Sequence, residues 1–306
     1  MLRYLIQRLG QTVFTLFAVT LIVFALGRLT GDPATVLMPV EARQEDRARI
    51  MAHWGLDQPL HVQYLRYMGN VLRGEFGESL QWPGRDALEL VMLRIGHTLE
   101  LGLAALAFAL AVAIPVGVLS AVYKNTWVDR VGKFIALLGQ SLPHFWIGIM
   151  FIWLFAVHLR WLPTSGRGTW AHLIMPAVVI GWFQVAALMR LIRSAMLDAL
   201  DSEYIKLARL KGLREHIVVW KHALRNAAIV PLTYFGIMIA YLVVGSITTE
   251  VVFSWPGVGL LVVNAVTARD FPVVQAVTIV FAVVIVLANF IVDVLYGVLD
   301  PRIRVA

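Results

Sequence analysis

The side chains of this sequence that could carry catalytic chemistry are scattered, and they complete none of the common catalytic motifs. The nearest approach to a phosphate-binding loop is Gly132-Lys133, which lacks the first glycine of G-x-x-x-x-G-K-[ST] and the hydroxyl residue after the lysine. Neither H-E-x-x-H nor G-x-S-x-G occurs. The chain is therefore not expected to be an enzyme or to bind ATP itself, and no catalytic residue is assigned.

Metal binding is the second chemistry to consider, because the chain holds eight histidines. It has no cysteine, which excludes thiolate metal sites and disulfides. No two histidines stand at i, i+4 spacing, and none has a carboxylate neighbour at ligand spacing. We expect no metal and no cofactor on this chain. The histidines are His53, His61, His97, His144, His158, His172, His216 and His222.

Within the apolar stretches, ionisable side chains are sparse and lie near the ends: Glu100, Arg190, Glu250 and Asp293. An ion-coupled carrier is expected to hold charge near the middle of its spans, so this pattern favours an external energy source. Neutral polar residues remain as candidates for lining a path, or as hydrogen-bonding links between helices. The residues alone leave both readings open for Gln140, Ser141, Gln184 and Ser246, and for Thr248 and Asn289.

The elements that must position these residues are membrane spans. Of 306 residues, 59% are hydrophobic and only 15% are charged, too few to cover a water-soluble surface. A span needs about twenty apolar residues. Six stretches qualify, at 9–28, 99–122, 134–157, 173–190, 229–252 and 273–297. Pro143 in the third stretch and Pro231 in the fifth are expected to kink their helices.

The distribution of basic residues predicts the orientation. The loop that begins at Arg190 holds eight of them, whereas the short loops of the opposite side hold Arg160, Arg167 and Arg269. By the positive-inside rule both termini face the cytoplasm. The net charge of +7 therefore reflects topology, and we expect contact with membrane lipid and none with nucleic acid.

Three parts follow along the chain: an N-terminal end with the first span (1–30), an outer loop with short helices (31–95), and a five-helix core (96–306). The core contains a long cytoplasmic loop, 191–228. In it, Asp201 or Ser202 can cap a short helix, and Gly212 can end that helix in the left-handed conformation. Such a helix is either a rigid contact site for an energy-supplying protein in the cytoplasm or a solvated amphipathic loop. The residue spacing alone leaves both interpretations open.

The loop resembles the EAA loop of bacterial ABC importer permeases, in the form of the B-type subunit of the dipeptide/oligopeptide/nickel family. The matching residues are Glu203, Tyr204, Ala208, Arg209, Lys211 and Gly212, followed by His222, Ala223, Leu224, Arg225 and Asn226. One departure is Lys206-Leu207-Ala208, where the name of the loop has Glu-Ala-Ala. The likeness extends nearly end to end through Gly31-Asp32-Pro33-Ala34, Gly55-Leu56-Asp57-Gln58-Pro59-Leu60, Gly74-Glu75-Phe76-Gly77, Trp255-Pro256-Gly257-Val258-Gly259, Arg269-Asp270-Phe271-Pro272-Val273 and Asp300-Pro301-Arg302.

The resemblance implies an all-α, six-transmembrane-helix bundle of the type I ABC importer permease kind in the bacterial inner membrane, N-in and C-in. It implies half of a pore for small peptides, or alternatively for nickel or another metal chelate, or for glutathione. The implied partners are a second homologous permease, two ATPase subunits that bind ATP and Mg, and a periplasmic binding protein. The residues implied to contact an ATPase are Glu203, Tyr204, Ala208, Arg209, Lys211, Gly212 and Leu213.

Overall fold

The structure is a computed structural model that describes residues 2–29, 57–228, 231, 234, 238 and 245–299. Within these residues all regular elements are helices, apart from one isolated bridge between Glu78 and Asp86. The α-helices discussed below are α1 (Leu2–Leu29), α2 (Leu60–Arg73), α3 (Ala87–Val122), α4 (Trp127–Ser141), α5 (His144–Phe151), α6 (Trp170–Leu200), α7 (Glu203–Leu210), α8 (Val258–Thr267) and α9 (Phe271–Leu299). A π-helical stretch, Ile152–His158, continues α5, and a helical segment with a π-helical middle covers 215–227.

Among the described residues, four helices are long and apolar enough to cross a membrane: α1, α3, α6 and α9. They contain the predicted spans 9–28, 99–122, 173–190 and 273–297, so these four predictions are confirmed. The predicted fifth span, 229–252, lies mostly outside the described residues, although 245–252 are helical. Gly31–Ala34, Gly55-Leu56 and Asp300–Arg302 also lie outside the described residues.

Two of these helices, α3 and α6, extend at one end by ten residues or more beyond the predicted apolar limits. The predicted outer loop ran to residue 95, but α3 already begins at Ala87, where the Asp86 carboxylate accepts hydrogen bonds from the N–H groups of Leu88 (2.8 Å) and Glu89 (3.2 Å). Such capping starts a helix irrespective of where the bilayer begins. The C-terminal end of α6 lies ten residues past Arg190, within the predicted cytoplasmic loop 191–228.

The predicted third span, 134–157, is sharply bent. The chain turns by 105° between α4 and the helix that starts at His144. Leu142 is extended (φ −107°, ψ 136°), as expected for a residue before proline, and Pro143 lies at the N-terminal end of α5. The predicted kink at Pro143 is confirmed, and it is a complete break of the helix.

The chain forms two compact units, Met1–Gly96 with Leu261–Ala306, and His97–Leu260. In the first, α1 and α9 pack along each other and α2 packs on α1. In the second, α6 is the most buried of the four spans, with 67% of its apolar window inside the protein.

Glycines allow close helix crossings around α6. A methyl group on Gly181 would meet the Ala105 carbonyl oxygen of α3 at 2.6 Å, and one on Gly139 of α4 would meet the Trp182 side chain at 2.7 Å. Small residues at crossings are the usual means by which membrane helices approach closely. These crossings hold the middle part of α6 close to α3 and to the C-terminal part of α4.

Candidate functional site

The short helix predicted in the cytoplasmic loop is present as α7, and Ser202 is its N-cap residue. Ser202 has the extended dihedral angles of a cap residue (φ −72°, ψ 152°), but its hydroxyl donates to the carbonyl of Ala199 and not to α7. Glu203 occupies the first turn, where a carboxylate is favourable, and lies 2.9 Å from the ammonium group of Lys206. The start of α7 is thus tied to the end of α6.

The end of α7 is a Schellman motif built on Gly212. Gly212 has φ +76°, and its N–H donates to the Arg209 carbonyl at 2.9 Å while the Leu213 N–H donates to Ala208 at 3.3 Å. The predicted left-handed glycine is confirmed. No atom lies within 4 Å of where a Cβ on Gly212 would stand, so the turn has open space beside it.

Two faces of α7 differ sharply. Ile205 and Ala208 are buried in the hydrophobic cluster of α3 and α6, so the Ala208 methyl group faces its own chain. The opposite side is exposed and carries large apolar side chains, with Leu210 exposed to 85%. The exposed apolar residues, called here the outward face of α7, are Tyr204, Leu207, Leu210 and Leu213.

The outward face includes two residues absent from the predicted set, Leu207 and Leu210. Tyr204, Leu207 and Leu210 follow one another at intervals of three residues, and this spacing was visible in the sequence. Which side of α7 points inward, however, depends on how α3 and α6 pack beneath it.

A charged pair braces the turn after α7. The Arg209 guanidinium holds both carboxylate oxygens of Glu215, with Nη2–Oε1 at 2.6 Å and Nε–Oε2 at 3.2 Å. This bidentate pair lowers the pKa of Glu215 and raises the pKa of Arg209. Lys211 lies between them in the chain and is exposed. Both ends of the turn are therefore fixed to each other.

A buried carboxylate, which sequence reasoning missed, connects α4 with α6. Asp129 is fully buried and accepts from Arg193 at 2.7 Å (Nε–Oδ1) and 2.9 Å (Nη2–Oδ2), from Lys133 at 2.9 Å, and from the Asn125 N–H at 3.1 Å. Only the i, i+4 spacing to Lys133 was a sequence signal, since Arg193 is 64 residues away. Charge-assisted, bidentate contacts of this kind fix geometry as well as add energy.

An open cavity of about 680 Å³ lies beside α7. Charged side chains of both signs line it, including Lys124, Asp198 and Arg209. Together with the outward face of α7, it forms an irregular surface with apolar projections and a polar recess.

The predicted path-lining residues fall into two environments. Gln140 and Ser141 are exposed at the end of α4, next to the bend, and the Ser141 hydroxyl donates to the Leu137 carbonyl at 2.8 Å. Gln184 and Ser246 are fully buried. Among the described residues, neither polar atom of the Gln184 amide has a hydrogen-bond partner, whereas the Ser246 hydroxyl bonds to Glu250. Thr248 and Asn289 are exposed.

The Trp255–Gly259 motif forms a cradle for the Glu250 carboxylate. Thr98 donates to Glu250 Oε1 at 2.8 Å and the Leu260 N–H donates to Oε2 at 3.1 Å. A Cβ on Gly257 would overlap this carboxylate. The motif is thus explained by the close approach of backbone to a buried acid.

The Arg269–Val273 motif holds a second buried acid, within the other unit. Asp270 accepts from the Ser79 hydroxyl and from the Gln81 N–H at 3.1 Å, and it stands immediately before α9. It therefore fastens the segment before α3 to the start of α9.

The described residues contain no group of three histidine, aspartate or glutamate side chains that could hold a metal ion. His53 lies outside them. His97 contacts the Pro256 carbonyl oxygen at 3.0 Å and His172 joins the cap of α6, so both have local structural contacts.

Comparison with known proteins identifies the family. The model for the "binding-protein-dependent transport system inner membrane component" family matches residues 113–305, and a related N-terminal model matches residues 1–83. A chain of the MetNI methionine ABC transporter shares the fold, with a TM-score of 0.59 at 20% identity over 69% of this chain and 96% of that one.

Curated relatives match over nearly their whole length. The oligopeptide transport system permease AppB of Bacillus subtilis is 39% identical, covering 99% of this chain and 100% of its own. The di/tripeptide permease DppB of Pseudomonas aeruginosa is 41% identical, and the glutathione permease GsiC of Escherichia coli K12 is 39% identical, each with 99% of both chains covered. The chain therefore belongs to the family of binding-protein-dependent transport system inner membrane components, the ABC importer permeases that its motifs resemble.

Proposed function

We propose that this chain forms one half of the translocation pore of an ATP-driven importer for small peptides. Two relatives matched over nearly their full length are named for oligopeptide and di/tripeptide transport. The buried spans hold neutral polar groups such as Gln184, which can exchange hydrogen bonds with peptide backbone without attracting one charge type.

The proposed partners are a second, related permease, two ATPase subunits that carry ATP and Mg, and a binding protein that delivers the peptide from outside. The family description names dependence on a binding protein. The sequence lacks a phosphate-binding loop, so nucleotide would have to be bound by other subunits.

The proposal that α7 couples ATP hydrolysis to movement of the pore rests on its outward face. Exposed leucines are expected where another protein docks, and here they stand on a helix whose inner side is anchored in the core. The Schellman turn and the Arg209–Glu215 pair stiffen its end. A displacement of α7 by a docked subunit would therefore also displace α6. The Asp129–Arg193 pair would transmit this displacement from α6 to α4.

The experiment is Leu210→Asp, tested in the whole transporter. Leu210 is so exposed that the change removes almost no packing within its own chain, while it places a charge at the centre of the proposed contact. We expect normal membrane insertion, weaker co-purification of the ATPase subunits and at least a tenfold loss of peptide uptake, the effect of about 1.4 kcal/mol.

Thr126→Asp is the matched control. It also adds one negative charge at an exposed position on the predicted cytoplasmic side, but at the N-cap of α4 and not on the outward face of α7. Uptake should stay near the unmodified level in this variant. Normal uptake and normal ATPase retention in Leu210→Asp would contradict the coupling role.

Glutathione is the second candidate substrate, because permeases named for glutathione transport are 39–40% identical to this chain. Glutathione is a tripeptide with one γ-linked bond, so the two proposals share a pathway. Competition decides between them. Unlabelled glutathione in excess would abolish uptake of a labelled dipeptide only if the delivered substrate is glutathione-like.

A further inference from the structure

Helix α2 lies outside the predicted spans, yet one side of it is fixed to α1. The Tyr64 hydroxyl is 3.0 Å from the Thr20 hydroxyl, and the Tyr64 ring meets Phe24 edge-on at 5.4 Å between centroids. Tyr67 packs against the same phenylalanine at 5.7 Å. Because both tyrosines contact α1, helix α2 packs against α1 and does not stand alone in the loop.

The contacts on α1 lie within its membrane-spanning part. The apolar window of α1 covers Ile6–Gly27, and Thr20 stands seven residues before its end. At 1.5 Å per residue this is a depth of about 10 Å below the limit of the span. The tyrosine side of α2 therefore contacts α1 within the apolar window that is expected to lie in the bilayer.

On another side of α2, large apolar side chains are exposed in the part of the chain that the structure describes. Leu65 is exposed to 67% and Leu72 to 81%, and the two stand seven residues apart on one face. Arg66 and Arg73 follow each leucine directly and are also exposed. None of the fourteen residues of α2 is buried, so it contributes little to a core of its own.

We propose that α2 is an interfacial helix whose Leu65–Leu72 side inserts among the acyl chains of a phospholipid leaflet. Arg66 and Arg73 then meet the headgroup phosphates, as basic residues beside an apolar helix face do at bilayer surfaces. Lipid is the occupant because α2 is anchored on a span at membrane depth and its apolar side is bordered by guanidinium groups. With the predicted orientation, this is the outer leaflet.

Spin-label accessibility in the reconstituted transporter tests the proposal, and the absence of native cysteine makes single-cysteine labelling direct. Leu65→Cys and Leu72→Cys receive a nitroxide, and its collisions with oxygen and with a water-soluble nickel chelate are measured in phospholipid vesicles. Phe14→Cys on the exposed side of α1 serves as the lipid reference, and Arg85→Cys in the turn before α3 serves as the aqueous reference.

We expect the oxygen-to-nickel ratio at both leucine positions to exceed that at Arg85 several-fold and to approach that at Phe14. High nickel access at both positions would show a water-facing helix and overturn the proposal. Low access to both reagents would show that a protein subunit covers this side, and would overturn it equally. Neither result bears on the coupling role of α7, which is measured by uptake.

Discussion

At the scale of single residues, the backbone at Gly212 matters as much as its missing side chain. Its φ of +76° is one that a residue with a Cβ adopts only with strain, of roughly 1 kcal/mol. The space beside it is empty within this chain. A large side chain there would therefore meet a docked subunit before it met anything else.

Gly212→Trp is expected to insert normally and to lose ATP-dependent uptake, because the indole blocks close docking at the end of α7. Uptake into cells and surface-labelled protein are measured together. Gly84→Trp is the matched control, since Gly84 has nearly the same φ (+75°) and equally open surroundings. If both variants transport normally, the turn is not a contact site.

Gln184 shows the opposite situation, a polar group enclosed without a partner. A buried amide left unsatisfied costs about 1–3 kcal/mol. Such a cost is tolerated where the group has a task in another conformation of the protein.

Gln184→Met keeps the volume and removes both polar atoms, so we expect a higher thermal unfolding temperature together with reduced peptide uptake. Gln140→Met, at an exposed position, should leave the unfolding temperature unchanged. An unchanged or lower unfolding temperature for Gln184→Met would mean that the amide is satisfied in the membrane.

Residue patterns in the sequence predicted local features well. Gly212 was expected to end α7 because glycine has no Cβ to strain the left-handed conformation. The partner of Asp129 was not predictable, because Arg193 comes close only after α4 and α6 have packed. The same holds for Thr98 and Glu250, which are 152 residues apart.

At the scale of elements, close crossings make α6 the centre of its unit. Gly181 allows α6 to touch the backbone of α3, where the Ala105 carbonyl would lie 2.6 Å from an added methyl group. Backbone cannot move aside as a flexible side chain can. The glycine is therefore required by packing and not by its dihedral freedom.

Gly181→Ala is expected to destabilise the protein by about 1–3 kcal/mol through overpacking. Gly96→Ala in α3 has no neighbour within 4 Å and should instead be neutral or stabilising by up to about 1 kcal/mol, since alanine favours helix. Thermal unfolding of both purified variants measures the difference. Equal stability of the two would refute the close crossing of α3 and α6.

The membrane spans were predicted from the length of the apolar stretches. This criterion does not give the ends of a helix that continues beyond its apolar stretch. It found α1, α6 and α9, but it started α3 late because the Asp86 cap lies before the apolar run. Pro143 indicated a kink. Its size of 105° was not predictable, because packing of α5 on α6 and the residues that follow fixes the direction.

At the scale of the whole molecule, the proposal gives α7 the contact with an ATPase subunit, and the sequence contains no G-x-x-x-x-G-K-[ST] motif. The described spans contain few charges, and the buried carboxylates of the described residues, Asp129, Glu250 and Asp270, are held by hydrogen bonds. An ion relay would need groups free to exchange partners.

Purification of the chain with its co-eluting subunits is expected to recover ATPase subunits, and vesicles holding this complex should take up peptide with ATP even when the proton gradient is collapsed. Vesicles holding only this chain should take up none. Peptide uptake by the chain alone would contradict an external supply of energy.

The break between α4 and α5 also identifies a side of the molecule that hydrocarbon cannot cover. Pro143 has no N–H to offer the carbonyl group four residues earlier, and main-chain oxygens without donors are costly in lipid. Gln140 and Ser141 expose polar side chains at the same place. We therefore expect this side of the helix break to border water or another polypeptide, and we infer that it is a candidate lining of the solute path.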